Sequence, residues 1–197
     1  MPQKAVAPQK VDVRRERLLA RLRDLFLREG FAMLSVGDLA ERLRCSKSTL
    51  YLVAPSKEQI VVATVRSYFK QAADRVEAAV AASDDPARRL ALYFEAVATE
   101  LQPASDRFYA DLAAFEPALA VYRDNTVVAA RRVQELVVDG VKTGALRPVN
   151  AAFVGAAVAE VMTAIQRGEI EAATGMPDAE AYRHLADLVT AALRLPG

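Results

Sequence analysis

The sequence predicts an all-helical protein, and three observations carry that prediction. Ala, Leu and Val dominate a chain of 197 residues that holds only eight Gly and no Trp, a composition that favours helix. Apolar residues recur at three- and four-residue spacings through most of it. The segments so marked open on capping residues and close on Gly or Pro, and no stretch alternates as a strand would. About nine helices are expected, a three-helix head containing a helix-turn-helix followed by a larger helical body.

Residues 1–12 mix Pro, Gln, Lys and Ala without periodicity and read as a flexible basic arm. From Val13 a helix is marked by Leu18, Leu22, Leu25 and Phe26 and stops at Gly30. Its other face carries Arg14, Arg15, Arg17, Arg21, Arg23 and Arg28. Ser35 and Asp38 form an S-x-x-D capping box, which satisfies orphan amide donors at the start of a short second helix with Val36, Leu39, Ala40 and Leu43 inward. Ser46 caps an equally short third helix that turns Leu50 and Val53 into the core. Ser56 and Gln59 make another capping box and open a long linking helix, residues 57–82, striped by Ile60, Val61, Val65, Tyr68, Phe69, Ala72 and Val76. The head is thereby residues 13–56 and the body residues 57–197.

In the body, Asp85-Pro86 is a cap followed by a first-turn proline. It opens a helix with Leu90, Phe94, Val97 and Leu101 inward, which ends before Pro103. A short helix carries Phe108, Leu112 and Phe115, and a long one runs from about Pro117 to Thr143 and stops at Gly144. Asn150 caps the next, which is apolar nearly all round through Ile165. The last spans roughly Asp178 to Leu195 and sets Leu185, Leu188, Val189 and Ala192 on one face.

Charge divides the chain. Residues 1–57 hold twelve Lys/Arg against six Asp/Glu, whereas residues 58–197 hold fourteen against nineteen. A basic head on an acidic body fits a head that meets a polyanion and a body that does not. The single cysteine, Cys45, excludes an internal disulfide and a cysteine-based zinc site, in keeping with a reducing cytoplasm. Between two helices it reads as a small buried hydrophobe. MPQKAVAPQK has charge but no apolar core after it, and the longest apolar run, Ala151 to Ala159, is too short to span a bilayer. A cytoplasmic protein off the membrane is expected. No nucleophile–base pair, phosphate-cradling Gly loop or metal-ligand spacing is present, and the only histidine, His184, has no partner ligand on its helix. No cofactor and no enzyme activity are expected.

Two short capped helices braced by a longer one describe a helix-turn-helix, whose second short helix sets its N-terminal residues in the DNA major groove. Here those residues are Ser46, Lys47, Ser48, Thr49 and Tyr51. Small hydroxyls allow close approach to bases and phosphates, Lys supplies charge, and Tyr offers an apolar face with a donor tip. Lys57 lies in the first turn of the linking helix, where backbone amides already favour a phosphate. Ser35 offers a similar contact across the groove, and Lys4, Lys10, Arg14 and Arg15 add salt-sensitive attraction.

EGFAMLSVGDLAERLRCSKSTLYLVAPSKEQI resembles the DNA-binding signature of the tetracycline-repressor (TetR) family of bacterial regulators. The resemblance implies Ser35, Lys47, Ser48, Thr49, Tyr51 and Lys57 as DNA contacts, and Leu39, Ala40, Cys45 and Leu50 as the helix-turn-helix core. It also implies a ligand-binding body whose last two helices dimerise, with GALRP (Gly144 to Pro148) at the usual junction before the penultimate helix. Two departures stand out. Arg44 occupies a turn position where the family often has Gly, and Leu52-Val53-Ala54 follows Tyr51 where polar or aromatic residues ending in Phe are usual.

The resemblance further implies that the aromatic residues of the body lie on the helices that enclose an effector, and since apolar pockets with a few polar groups are the usual small-molecule sites, a mainly apolar or aromatic effector lined by Phe94, Phe108, Phe115, Tyr122 and Met162 is expected. The all-round apolar penultimate helix needs a partner, and pairing it with the last helix across a two-fold axis gives an interface of Phe153, Gly155, Ala159, Leu185, Leu188 and Ala192. The expected protein is a homodimeric, ligand-responsive regulator of a palindromic operator on double-stranded DNA, by family habit a repressor. The alternative is a helical small-molecule sensor whose head no longer reads DNA.

Overall fold

The computed structural model describes residues 8–195, which form ten helices and no strand. The head comprises α1 (Pro8–Glu29), α2 (Val36–Arg42) and α3 (Lys47–Leu50), and α4 (Lys57–Val80) leads out of it. The body adds α5 (Pro86–Leu101), α6 (Asp106–Ala114), α7 (Glu116–Thr143), α8 (Ala151–Gln166), α9 (Glu169–Thr174) and α10 (Asp178–Leu193).

Local signals placed most of these ends. Ser35 and Asp38 make the reciprocal capping box, Asp85 caps α5 through the Ala87 amide with Pro86 behind it, and Asn150 caps α8 through the Phe153 amide. Ser56 caps α4 one way only, its side chain accepting from the Gln59 amide. Two corrections concern helix extent. α1 takes in residues 8–12, which the sequence assigned to the arm; residues 1–7 lie outside the described residues. Among residues 12–18, whose burial is described, Leu18 is the first buried and Val13 is exposed, so residues 12–17 carry no apolar stripe; a proline, suited to a first helical turn, starts the helix. The tenth helix, α9, was not expected because it buries no side chain, leaving no periodicity to read.

Two apolar cores result. The first joins Leu18, Leu22, Leu25 and Phe26 of α1 to Leu39, Ala40 and Leu43, to Leu50 and Val53, and to Ile60, Val61 and Val65 of α4. It continues through Phe69 into Phe108, Leu112 and Tyr122, so α6 and the start of α7 pack with the head. The second core starts at Val76 of α4 and gathers α5, α7, α8 and α10. α4 thus spans both cores, and the first core anchors the head to the body. Fully buried side chains such as Leu22, Leu50, Ile60 and Leu112 contribute about 1.5–3 kcal/mol each.

Candidate nucleic-acid interface and the body cavity

The turn between α2 and α3 is built on Arg44. Its φ is +45°, the left-handed region, and it is the one non-Gly residue with positive φ among the described residues. The Arg44 amide donates to the Glu41 carbonyl at 2.9 Å and the Cys45 amide to the Ala40 carbonyl at 2.9 Å, the paired bonds of a Schellman motif. The departure from Gly therefore leaves the turn geometry intact and places the strain on one residue. Arg44→Gly is expected to raise unfolding free energy by about 0.5 kcal/mol, since relief of left-handed strain exceeds the added chain entropy of Gly. A denaturant midpoint that falls, at unchanged slope, would contradict this.

With the turn fixed, α3 presents its first residues outward. Ser46 caps the helix through the Thr49 amide, and its hydroxyl lies 2.7 Å from Ser48 Oγ and 2.9 Å from Thr49 Oγ1. Arg14 of α1 donates to Thr49 Oγ1 at 3.4 Å, which brings α1 to the same edge. A Cβ built on Gly37 would lie 3.9 Å from Lys47 Nζ and 3.4 Å from Ser35 Oγ, so the ammonium sits beside the first turn of α2 and its cap. Tyr51 is 47% exposed. Arg15 pairs with Glu16 on its own helix. Lys57 is placed differently from the rest: its ammonium donates to the Ala32 carbonyl at 2.9 Å, against the α1–α2 loop.

The apolar Leu52-Val53-Ala54 divides by direction. Val53 is buried with Leu50, Ala54 packs partly buried against the same core, and Leu52 is exposed. Cys45 is likewise half-buried against this core. Several arginines of the α1 and α2 surfaces are tied internally: Arg21 to the Leu43 carbonyl, Arg23 to Ser67 at 3.0 Å, and Arg42 to Glu29.

The joint between head and body depends on a residue that sequence reasoning missed. Asp111 of α6 is buried, and its Oδ2 accepts from the amides of Phe31 at 2.5 Å and Ala32 at 2.8 Å. The Ser105 amide at the start of α6 donates to the Leu27 carbonyl of α1 at 2.8 Å. Gly30, at φ +73°, lies so close that an added Cβ would be 2.4 Å from Asp111 Oδ2. Aromatic rings continue the joint: Phe31 meets Phe108 at 6.2 Å and Phe115 at 6.3 Å, both edge-on.

In the body a cavity of about 90 Å³ opens between α4, α5 and α7, with Phe69, Val76, Tyr93, Val97, Tyr122, Met162 and Tyr182 in its wall. Of the five residues expected around an effector, Tyr122 and Met162 line this cavity, and Phe94 borders a small adjoining void together with Met162. Phe108 and Phe115 do not reach it; they sit in the head–body joint, because α6 packs on α1 rather than on the second core. Tyr122 and Tyr182 share a hydroxyl–hydroxyl hydrogen bond of 2.9 Å, and burial pushes Tyr182 up to about 12 and Tyr122 well above the usual phenol range. Both therefore act as neutral hydroxyls at physiological pH. Phe69 stacks on Tyr122 at 5.1 Å, so the cavity wall touches α4 directly.

The residues expected at a subunit interface separate. Phe153 is 72% and Leu188 68% exposed, with Ala192 exposed beside the latter and Ala159 half-buried. Leu185 faces the second core, and Gly155 faces α7, where a Cβ would lie 3.1 Å from Gln134 Cβ. His184 is exposed and lies 3.7 Å from Glu180. Among the described residues no group of three or more His, Cys, Asp or Glu is placed to hold a metal ion, and no helix is long and apolar enough to cross a membrane.

Residues 18–64 match the family described as bacterial regulatory proteins, tetR family. No curated protein matches the chain. Among solved structures, a TetR family transcriptional regulator from Thermus thermophilus is 25% identical with a TM-score of 0.59, over 91% of this chain and 100% of that one. A proposed transcriptional regulator from Saccharomonospora viridis, solved in complex with choline, is 21% identical with a TM-score of 0.71, over 94% of this chain and all of that one. A TetR transcription regulator from Haloarcula marismortui is 15% identical with a TM-score of 0.73, over 93% of this chain and all of that one.

Proposed function

We propose that this chain, whose head belongs to the tetR family of bacterial regulatory proteins, is a ligand-responsive repressor that grips a palindromic operator as a homodimer. A small, mainly apolar molecule entering the body releases it. One observation carries the reading: Lys47, Ser48, Thr49 and Tyr51 form an edge at the start of α3, reached by Arg14 and flanked by Ser35, over a fully buried Leu50. That edge has the reach and chemistry for major-groove bases and phosphates. No catalytic role is assigned to it.

The exposed apolar Phe153 on α8 and Leu188 on α10 support pairing of these helices across a two-fold axis. Two heads would then meet recognition sites about 34–36 Å apart, or a multiple of that. The choline-bound neighbour supports a small molecule as effector, and the stack of Phe69 on Tyr122 supports its being sensed by α4. Differential affinity for two head spacings is all that release requires. A cytoplasmic location follows from a role on DNA.

Lys47→Ala is expected to weaken operator binding about tenfold and to reduce the slope of log affinity on log salt by about 2 for a dimer. Sites for that assay come from selection on a random DNA pool, and sedimentation at micromolar concentration checks the dimer. A second reading, a sensor that no longer reads DNA, is favoured by Leu52 standing exposed and by Lys57 engaging Ala32 rather than open solvent. Failure to enrich any site, with the protein folded and dimeric, selects that second reading.

A further inference from the structure

We propose that the body cavity selects a small uncharged alcohol, a compact hydrocarbon body carrying one hydroxyl group set against Tyr122 and Tyr182. The inference rests on the reading of the body as effector domain and names the chemical class of the effector.

Size bounds the ligand first. The cavity measures about 90 Å³, against about 150 Å³ for an engineered cavity that binds benzene. Room of this order suits roughly five to seven non-hydrogen atoms after small adjustments of the wall. Met162 is the wall that yields, because it also borders the adjoining void towards Phe94 and Leu185 and its unbranched side chain repacks readily.

Charge is excluded next. The Arg132 guanidinium places Nε 2.8 Å and Nη2 2.9 Å from the two oxygens of Glu77, and Nη1 3.1 Å from Glu135. Glu100 is held by Arg75 through Nε at 2.6 Å and through Nη2. Arg132 is thus shared between Glu77 and Glu135, and Arg75 holds Glu100, so each charged side chain of the wall is already engaged. Within the wall a carboxylate ligand finds no free cation and an ammonium no free carboxylate, Asp178 lying half-buried outside it near the two phenols, so either ion enters with a desolvation penalty.

Hydrogen-bonding capacity names the polar group. Each phenol offers one donor and two acceptor sites; the Tyr122–Tyr182 bond uses one donor and one acceptor and the Gln166 amide takes a further acceptor site on Tyr182, which leaves the pair one donor and two acceptor sites. Their buried neighbours are already engaged, with Thr126 Oγ1 donating to the Tyr122 carbonyl at 3.1 Å and Gln166 Nε2 donating to Thr126 Oγ1. A hydroxyl, which both donates and accepts, completes the phenolic pair; a hydrocarbon leaves it unchanged.

Four probes of about six or seven non-hydrogen atoms test this on the full chain by NMR titration: neohexyl alcohol, its hydrocarbon neohexane, its quaternary-ammonium counterpart choline, and the pivalate anion. The alcohol is expected to bind about fivefold tighter than neohexane, the factor that one net hydrogen bond confers, and at least about tenfold tighter than either ion. Tyr182→Phe should remove the advantage of the alcohol over the hydrocarbon while leaving hydrocarbon affinity in place. Ala129→Leu, which fills the wall from a half-buried position, should weaken the alcohol about tenfold. Tighter binding of choline or the anion, equal binding of alcohol and hydrocarbon, or no binding of any probe overturns the assignment. Operator retention by the ligand-free chain is measured separately, so loss of the ligand class and loss of the regulator reading give different results.

Discussion

Asp111→Ala is expected to lower unfolding free energy by about 3 kcal/mol, the larger part of it by leaving two backbone amides without an acceptor. The Phe31 amide is buried and its bond goes to a carboxylate, which makes it charge-assisted, while the Ala32 amide at 2.8 Å lies nearer solvent. Water can replace the second bond more easily than the first, which keeps the total below the sum of two full desolvation penalties. In a protein of this size the melting midpoint falls by roughly 6–12 °C. Asp111→Asn keeps one acceptor oxygen without the charge and should lose only about 1–1.5 kcal/mol. Hydrogen exchange separates a local from a global effect: in Asp111→Ala the Phe31 and Ala32 amides should exchange well before those of α1 and α4. Unchanged protection of the Phe31 amide in that variant would show that another group holds the loop.

The same residue marks where the sequence stops being readable. Caps, stripes and glycine stops act within a few residues of one another, so Ser35 with Asp38, Asp85 with Pro86, and the Leu50–Val53 pair could be read directly and stand as expected. Asp111 reaches Phe31 across 80 residues, and in the sequence it is one carboxylate among many on a helix face. Its apolar neighbours Phe108 and Leu112 mark the buried side of α6, and that was the only available sign that its carboxylate also faces inward. The aromatic residues show a second kind of limit. Their number announced a ring-lined interior, but only the packing of α6 on α1 decides that Phe108 and Phe115 fill the joint while Tyr93 and Tyr182 line the cavity. Gly155, expected at the subunit interface, lies instead where α8 closely approaches α7 of the same chain. At the interface edge the types and spacing of residues were legible because α3 is braced by local bonds; the turn of Lys57 toward Ala32 was not, since it depends on where the α1–α2 loop passes.

Gly30→Ala is expected to cost about 4 kcal/mol, a sum of two parts that can be separated. A non-Gly residue at φ +73° is strained by roughly 1–2 kcal/mol wherever it occurs. The remainder comes from the new methyl group, which would lie 2.4 Å from Asp111 Oδ2 and so drive the carboxylate off the Phe31 and Ala32 amides. The Arg107 Cγ at 2.8 Å belongs to a flexible side chain and can move aside. Gly144 supplies the control: its φ is +75° and nothing lies within 4 Å of its Cβ direction, so Gly144→Ala should cost the backbone strain alone, about 1 kcal/mol. In the Asp111→Ala background the clash has no carboxylate to displace, and Gly30→Ala should then cost little more than Gly144→Ala. The double-mutant cycle is thus expected to give a coupling of about 2–3 kcal/mol between positions 30 and 111. Additive costs would mean that Gly30 answers only to its own backbone, and that the close approach of α6 does not select it.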